Sequence, residues 1–187
     1  MKKLVPNKWD AKIDKITNDF QNSFGKLSPQ EINWKPNAST WSIAENMDHI
    51  IKTNKSYFSI VDKAKTGSYK TSYLANFGWI VNLLGRVILK GVDPNRRKKT
   101  KTFKMWEPNE KKIFLSILDE FVDHQAELKQ LINNSSDLIS KETVISSPVN
   151  KHVVYKLETA FDIIVNHERR HYNQAREVLV QQRDVVF

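Results

Sequence analysis

The sequence has no cysteine, and glycine and proline are scarce, with five and six among 187 residues. The lack of cysteine excludes disulfide bonds, thiolate-ligated zinc and a cysteine nucleophile. Glycine and proline are the strongest helix breakers, so their scarcity leaves room for long helices. An apolar fraction of 40%, including nine Phe, five Trp and five Tyr, can fill a hydrophobic core. We therefore predict an all-α protein that forms a single domain over residues 1–187.

Targeting and membrane-spanning signals are also weak. Residues 1–8 are basic but lack the apolar run and cleavage site of a signal peptide, so we expect a cytoplasmic protein. The most apolar stretch, residues 73–90, is barely long enough to span a bilayer and is interrupted by Asn76, Asn82 and Arg86. A transmembrane helix is therefore the weaker interpretation, and a buried or amphipathic connecting helix is favoured.

The chain is basic, with a formal net charge of +9, and the excess is concentrated in one place. Residues 96–104 carry six Lys and Arg and no Asp or Glu. A solvated loop is the default interpretation of such a run. Phe103 and Trp106 lie among these cations, which keeps open a membrane contact through residues 73–106. Binding to nucleic acid is the less favoured partner, and we expect it to be weak.

Apolar residues recur at intervals of three and four, which predicts four long helices. These cover residues 9–25, 43–65, 109–132 and 155–182. Ser42 and Glu45 have the spacing of a capping box at the start of the second helix. The apolar and basic insert, residues 68–107, then forms a long crossover, and a polar connection precedes the last helix. We predict a four-helix bundle.

Two histidines stand four residues apart in the last predicted helix. This spacing places His167 and His171 on one face, where both can reach one metal ion. They share a stripe with Leu157, Ala160 and Ile164, so we expect them to point into the bundle. Polar rings in an apolar seam need partners, and the alternative to a metal is a pair that is hydrogen-bonded in the core.

Among the neighbours of this pair, we expect Glu168 to be solvated and Arg169 and Arg170 to lie off the inward face, near the pocket mouth.

A third ligand has to come from another element, and His49 is the best candidate. It lies in the first two turns of the second helix, at the edge of the apolar stripe, which suits a ligand at a cavity rim but equally a solvated histidine. We expect His124, between charged neighbours, and His152, in a predicted loop, to lie at the surface, and Asp48 to be solvated. Glu45, one turn before His49, is a candidate to orient that ring or to act as a base, although capping is the favoured role.

These motifs resemble the DinB-like superfamily, the DinB and YfiT-type metalloenzymes related to bacillithiol transferases and mycothiol-dependent maleylpyruvate isomerase. The resemblance rests on Trp-Ser-Ile-Ala-Glu-Asn-Met-Asp-His-Ile at 41–50 and His-Glu-Arg-Arg-His-Tyr-Asn-Gln-Ala at 167–175, and it covers essentially the whole chain. It implies a four-helix bundle in which three histidines bind zinc or nickel. Carried onto this sequence, those ligands are His49, His167 and His171. The insert is not part of the core pattern.

The resemblance implies a metal-dependent enzyme that transfers a low-molecular-weight thiol to an electrophile or hydrolyses a small substrate. A three-histidine site leaves coordination positions open for such chemistry. Because the chain has no cysteine, the thiol would be a small-molecule cosubstrate. The alternative is a non-catalytic stress-response protein with a structural metal, whose insert docks on a membrane or nucleic acid. A homodimer is compatible with either function.

Overall fold

The computed structural model describes residues 7–96, 101–109 and 116–186, and most of these are helical. The described residues contain seven α-helices: α1 Asp10–Phe24, α2 Pro29–Asn33, α3 Ile43–Lys65, α4 Gly78–Gly91, α5 Ile117–Asn133, α6 Ser136–Ser140 and α7 Leu157–Val186. Two 3₁₀ turns, Tyr73–Asn76 and Lys104–Trp106, lie within the insert. A two-stranded antiparallel sheet pairs β1 Val144–Ser147 with β2 Asn150–Lys156.

The long helices follow the predicted pattern closely. Helix α3 coincides with the predicted residues 43–65, and α1 and α7 differ from their predictions by a few residues at the ends. Helix α5 begins at Ile117, and residues 110–115 of the predicted third helix lie outside the described residues. The apolar stretch at 73–90 forms a 3₁₀ turn followed by α4. No helix in the described part of the chain combines the length and the apolarity needed to cross a membrane.

One element departs from the all-α prediction. The connection that holds Pro148 is a β-hairpin, in which Ile145 pairs with Tyr155 and Ser146 with Val154. The Ile145 and Tyr155 side chains are fully buried, so the hairpin adds to the core instead of running over the surface as a loop. Apolar β-branched and aromatic residues favour such pairing. The hairpin also places His152 on a strand and not in the predicted loop, although the residue is exposed as expected.

Four helices surround the main core. Helix α1 contacts α5 and α7, and α3 contacts the same two helices. An aromatic cluster joins α1, α5 and α7, with ring centroids 4.4 Å apart for Phe20 and Phe121 and 5.3 Å apart for Phe20 and Tyr172. Buried aromatic pairs of this kind contribute on the order of 1 kcal/mol beyond the burial of their surface. The cluster therefore holds α7 against its neighbours at the level of the two histidines.

The start of α3 is fixed by the predicted capping box. The Ser42 backbone N–H donates to Glu45 Oε2 at 2.8 Å, and the Glu45 N–H donates to Ser42 Oγ at 3.0 Å. Lys35 Nζ also lies 2.8 Å from Glu45 Oε1, so both carboxylate oxygens are engaged. These contacts confirm the capping role of Glu45, whereas a role in catalysis stays a prediction.

Helix α4 packs against β2 and α7 at a glycine. A Cβ atom added at Gly85 would lie 3.1 Å from Thr159 Cγ2 and 3.4 Å from Tyr155 Cβ. A larger residue at this position would collide with α7 and β2. The missing side chain is therefore what lets α4 approach the body of the protein closely.

The close packing of α4 at Gly85 predicts that Gly85→Val lowers the free energy of unfolding by about 1–3 kcal/mol, the usual cost of overpacking. The matched control is Gly78→Val in the same helix, where an added Cβ would meet nothing within 4 Å. We expect the control to change stability by no more than about 0.5 kcal/mol. Urea denaturation followed by circular dichroism measures both, and equal stability of the two variants would contradict the close packing at Gly85.

Candidate metal centre

His49, His167 and His171 converge at one point between α3 and α7. One ring nitrogen from each lies within 4.8 Å of the others. The Nε2 atom of His167 is 3.2 Å from Nε2 of His49 and 3.1 Å from Nε2 of His171. The structure therefore places the three predicted residues in a cluster compatible with a metal site.

Two helices position these side chains. His167 and His171 lie one turn apart on α7, and α3 packs against that face so that His49 meets them. His49 is 2% exposed and His171 is 5% exposed, whereas His167 is partly exposed. His49 is thus enclosed, and the solvated position left open by the sequence does not occur.

Hydrogen bonds fix which nitrogen carries the proton in two of the rings. His49 Nδ1 lies 2.7 Å from the Trp106 carbonyl oxygen, which can only accept, so His49 is protonated at Nδ1. His171 Nδ1 lies 2.8 Å from Asn46 Oδ1, and the Asn46 amide nitrogen donates to the Ser42 carbonyl. His171 therefore also carries its proton on Nδ1. Both rings present an unprotonated Nε2 to His167.

This arrangement leaves more lone pairs than protons. His167 Nε2 can donate at most one hydrogen, while two unprotonated nitrogens face it. Burial lowers the pKa of His49 to about 4, and burial is also the main reason why the pKa values of His167 and His171 lie well below the usual range. Protonation of a further ring nitrogen is therefore unfavourable. A divalent cation accepts all three lone pairs, and neutral imidazole is the form that binds it, so the donor set fits a metal.

The insert supplies part of this site. Besides the Trp106 carbonyl, Lys52 Nζ donates to the Glu107 carbonyl at 2.9 Å, and the Asn109 N–H donates to Asp48 Oδ2 at 3.1 Å. Asp48 also pairs with Lys52 at 2.8 Å. The end of the insert is thus attached to α3 beside His49. Asp48, which we expected to be solvated, is buried because it makes these contacts.

Trp41 forms an aromatic wall next to the histidines. Its ring stacks on His171 with centroids 5.8 Å apart, and its centroid is 4.7 Å from that of His49. Trp41, Asn46 and Trp106 were not among the residues that the sequence predicts for the site. Trp41 and Asn46 lie within the motif at 41–50, which is the signal that points to them. The Trp106 contact uses a backbone oxygen, so its side chain gives no signal.

The expectation that His124 and Glu168 lie at the surface is wrong. His124 is 1% exposed and Glu168 is fully buried. Asn54 Nδ2 donates to Glu168 Oε1 at 2.7 Å and faces His124 Nε2 at 3.2 Å. Burial raises the pKa of Glu168 to about 7 and lowers that of His124 to about 4. These residues lie where α3, α5 and α7 contact one another. Their charged neighbours in sequence suggest a surface position, because the sequence pattern does not show this long-range contact.

Arg170 is buried by a contact with another helix. It is 6% exposed, and its Nη1 donates to the Gly91 carbonyl at the end of α4, 2.9 Å away. Arg169 is partly exposed and pairs with Asp19 of α1 at 2.6 Å. The two arginines therefore tie α7 to two other helices.

Comparison with protein families agrees with the site geometry. The model of the DinB superfamily matches residues 12–175, a range that contains all three histidines. Neither the curated proteins nor the solved structures give a match to the chain.

The geometry predicts that the purified protein carries about one divalent ion per chain and that His167→Ala and His171→Ala both lose it. Elemental analysis of protein prepared without a metal-affinity step measures the content. The control is His152→Ala, because His152 is exposed on β2 and is not part of the histidine cluster. His124→Ala should also retain the metal, but its burial makes it the poorer control. Undiminished metal in both α7 variants would rule out the site.

Asn46 should matter because it orients His171. Asn46→Leu removes the acceptor for His171 Nδ1, and loss of such a supporting contact typically lowers metal affinity 10–100-fold. The matched control is Asn18→Leu at an exposed position of α1, which should leave affinity unchanged. Competition with a chromophoric chelator reports both values. Equal affinity for the two variants would show that Asn46 does not orient the ligand.

Proposed function

Because the chain belongs to the DinB superfamily, we propose that it is an enzyme in which His49, His167 and His171 hold one divalent ion. The observation that carries this proposal is the convergence of three Nε2 atoms, two of them fixed as unprotonated by their Nδ1 partners. Zinc and nickel are the ions we expect, since both are bound well by imidazole. The four long helices are taken to form a bundle, supported by the contacts of α1 and α3 with both α5 and α7.

Three protein ligands are the number typical of a catalytic site, because they leave coordination open for another molecule. When bound, the ion would lower the pKa of a water or thiol that enters the open position. The residues of the chain perform the remaining tasks. Asn46 and the Trp106 carbonyl orient two of the rings, and Trp41 restricts access beside them. Partly exposed His167 marks the side from which a small molecule can approach.

The reaction we propose is transfer of a low-molecular-weight thiol to an electrophile. The S–H bond of the thiol breaks, its sulfur forms a bond to the electrophilic carbon, and the leaving group departs from that carbon with the bonding electrons and takes up the released proton. The chain contains no cysteine to supply the sulfur, so the thiol has to arrive as a cosubstrate. Hydrolysis of a small substrate uses the same open position with water in place of the thiol. A cytoplasmic location, where such thiols are found, remains part of the proposal.

A structural metal is the competing function, and the enclosure of the site favours it. His49 and His171 are almost fully buried, and the end of the insert is attached beside His49. A structural site is closed by protein groups, whereas a catalytic one admits an exogenous ligand. Access of a small molecule to the ion therefore distinguishes the two functions.

Cobalt substitution tests this access, because cobalt gives a visible spectrum that reports its surroundings. We expect a small thiol to change that spectrum and the cobalt-loaded protein to accelerate conjugation of the thiol to a generic electrophile. His49→Ala should lose both properties, and His152→Ala should keep them. A spectrum that does not respond to thiol or to water exchange would support a structural metal. A response to thiol without conjugation would favour a hydrolase, to be tested on esters and amides.

A further inference from the structure

The outer side of α4 is apolar and exposed. Trp79, Leu83 and Val87 follow one another at intervals of four residues, so they form a single stripe along the helix. They are 68%, 51% and 56% exposed, respectively. Val81 and Gly85, on the opposite side, are buried where the helix packs against β2 and α7. The helix therefore has one face that is packed and one that is not.

Two aromatic rings extend this stripe beyond the start of the helix. Tyr73 is 74% exposed and lies edge-to-face with Phe77, their centroids 5.4 Å apart. Together, Tyr73, Phe77, Trp79, Leu83 and Val87 form what we call the α4 face. Single exposed aliphatic residues are ordinary on a protein surface, but a row of five with three aromatic rings indicates a binding surface.

Cations border the α4 face at both ends. Arg86 and Lys90 are exposed on α4, and Lys70 and Lys151 line a groove that also includes Tyr73. None of these four forms a salt bridge with another described residue. Residues 70–92 contain no Asp or Glu, and Asp93 is the first carboxylate after α4. The partner of this surface therefore has to be both apolar and anionic.

We propose that the α4 face docks on an anionic lipid membrane, with α4 lying in the plane of the interface. Its aliphatic and aromatic side chains would enter the boundary between headgroups and acyl chains, where Trp and Tyr are enriched. The flanking Lys and Arg would meet the phosphates of anionic lipids. A helix of 14 residues is roughly 21 Å long, which is too short to cross the hydrocarbon core.

Hydrogen bonds attach the end of α4 to α7. Arg170 Nη1 donates to the Gly91 carbonyl at 2.9 Å, and Asn173 Nδ2 donates to the Pro94 carbonyl at 3.3 Å. These contacts attach the end of α4 to α7 within one turn of His171. Docking through α4 therefore brings the whole domain to the membrane and does not merely tether it by a loose segment.

Two other occupants of the α4 face fit less well. A second copy of the chain would add the same excess of positive charge to the contact, with no carboxylate in residues 70–92 to offset it. Nucleic acid would explain the cations and the aromatic rings, since bases stack on such rings. It gives no apolar partner to Leu83 and Val87, because the sugar-phosphate backbone is polar and charged. A bilayer surface uses all of these side chains.

Sedimentation of the full-length protein with vesicles tests the proposal. We expect binding to vesicles of phosphatidylcholine mixed with phosphatidylglycerol, and much weaker binding to phosphatidylcholine alone. Trp79→Ser combined with Leu83→Ser should abolish sedimentation. The matched control is Val180→Ser combined with Val185→Ser, because these α7 residues are 52% and 73% exposed but lie outside the α4 face. All four positions are exposed, so the melting temperature of each variant should stay unchanged.

The contribution of charge is measured separately. Each cation near an anionic leaflet strengthens binding by a factor of about five, so Arg86→Gln with Lys90→Gln should weaken partitioning on the order of twentyfold. Lys12→Gln with Lys65→Gln removes the same net charge from exposed positions of α1 and α3 and is the matched control. Equal vesicle binding by the variants and their controls would overturn the proposal. Sedimentation equilibrium showing a dimer that Trp79→Ser disrupts, or tighter binding to an oligonucleotide than to vesicles, would also overturn it.

Discussion

The Nε2 atoms of His49, His167 and His171 are directed at one another between α3 and α7, with His49 and His171 buried and His167 partly exposed. Several other features of the molecule position these rings. Two of the nitrogens are unprotonated because their Nδ1 atoms donate to an amide oxygen and a backbone carbonyl. The two unprotonated atoms face His167 Nε2, which can donate to only one of them, and burial lowers the pKa of all three rings, so a further proton is disfavoured. One cation relieves both problems. The cluster is therefore compatible with a metal site, in which the three histidines would act as the ligands.

Such a donor set requires α7 to be fixed in rotation, and four consecutive residues provide this. Glu168 accepts from Asn54 of α3, Arg169 pairs with Asp19 of α1, and Arg170 donates to the last residue of α4. His171 then donates to Asn46 of α3. Contacts on three sides of the helix set the direction in which His167 points. A buried carboxyl such as Glu168 is costly to desolvate, and its bond to Asn54 offsets part of that cost.

The insert connects the interior of the protein with its surface. Its first part contributes the exposed apolar α4 face, and at its end Trp106 supplies a carbonyl to His49. It lies outside the motifs that carry the family resemblance, yet it contacts the element that holds the first histidine. Members of a superfamily can share a metal site while differing in what surrounds it. In this chain the end of the insert lies beside His49.

Local sequence determined the features whose partners lie within about one turn. The capping box of Ser42 and Glu45 and the shared face of His167 and His171 follow from spacings of three and four residues. The same periodicity determined the long helices, and family resemblance assigned His49 as the third member. Only the tertiary structure decided the burial of His124 and Glu168, because their burial depends on contacts among α3, α5 and α7, which are far apart in sequence. The tertiary structure also decided the hairpin at residues 144–156, which buries Ile145 and Tyr155 in the shared core. It decided the bond from His49 to the Trp106 carbonyl as well. Every residue has a backbone carbonyl oxygen, so only the packing of the chain selects which one His49 uses.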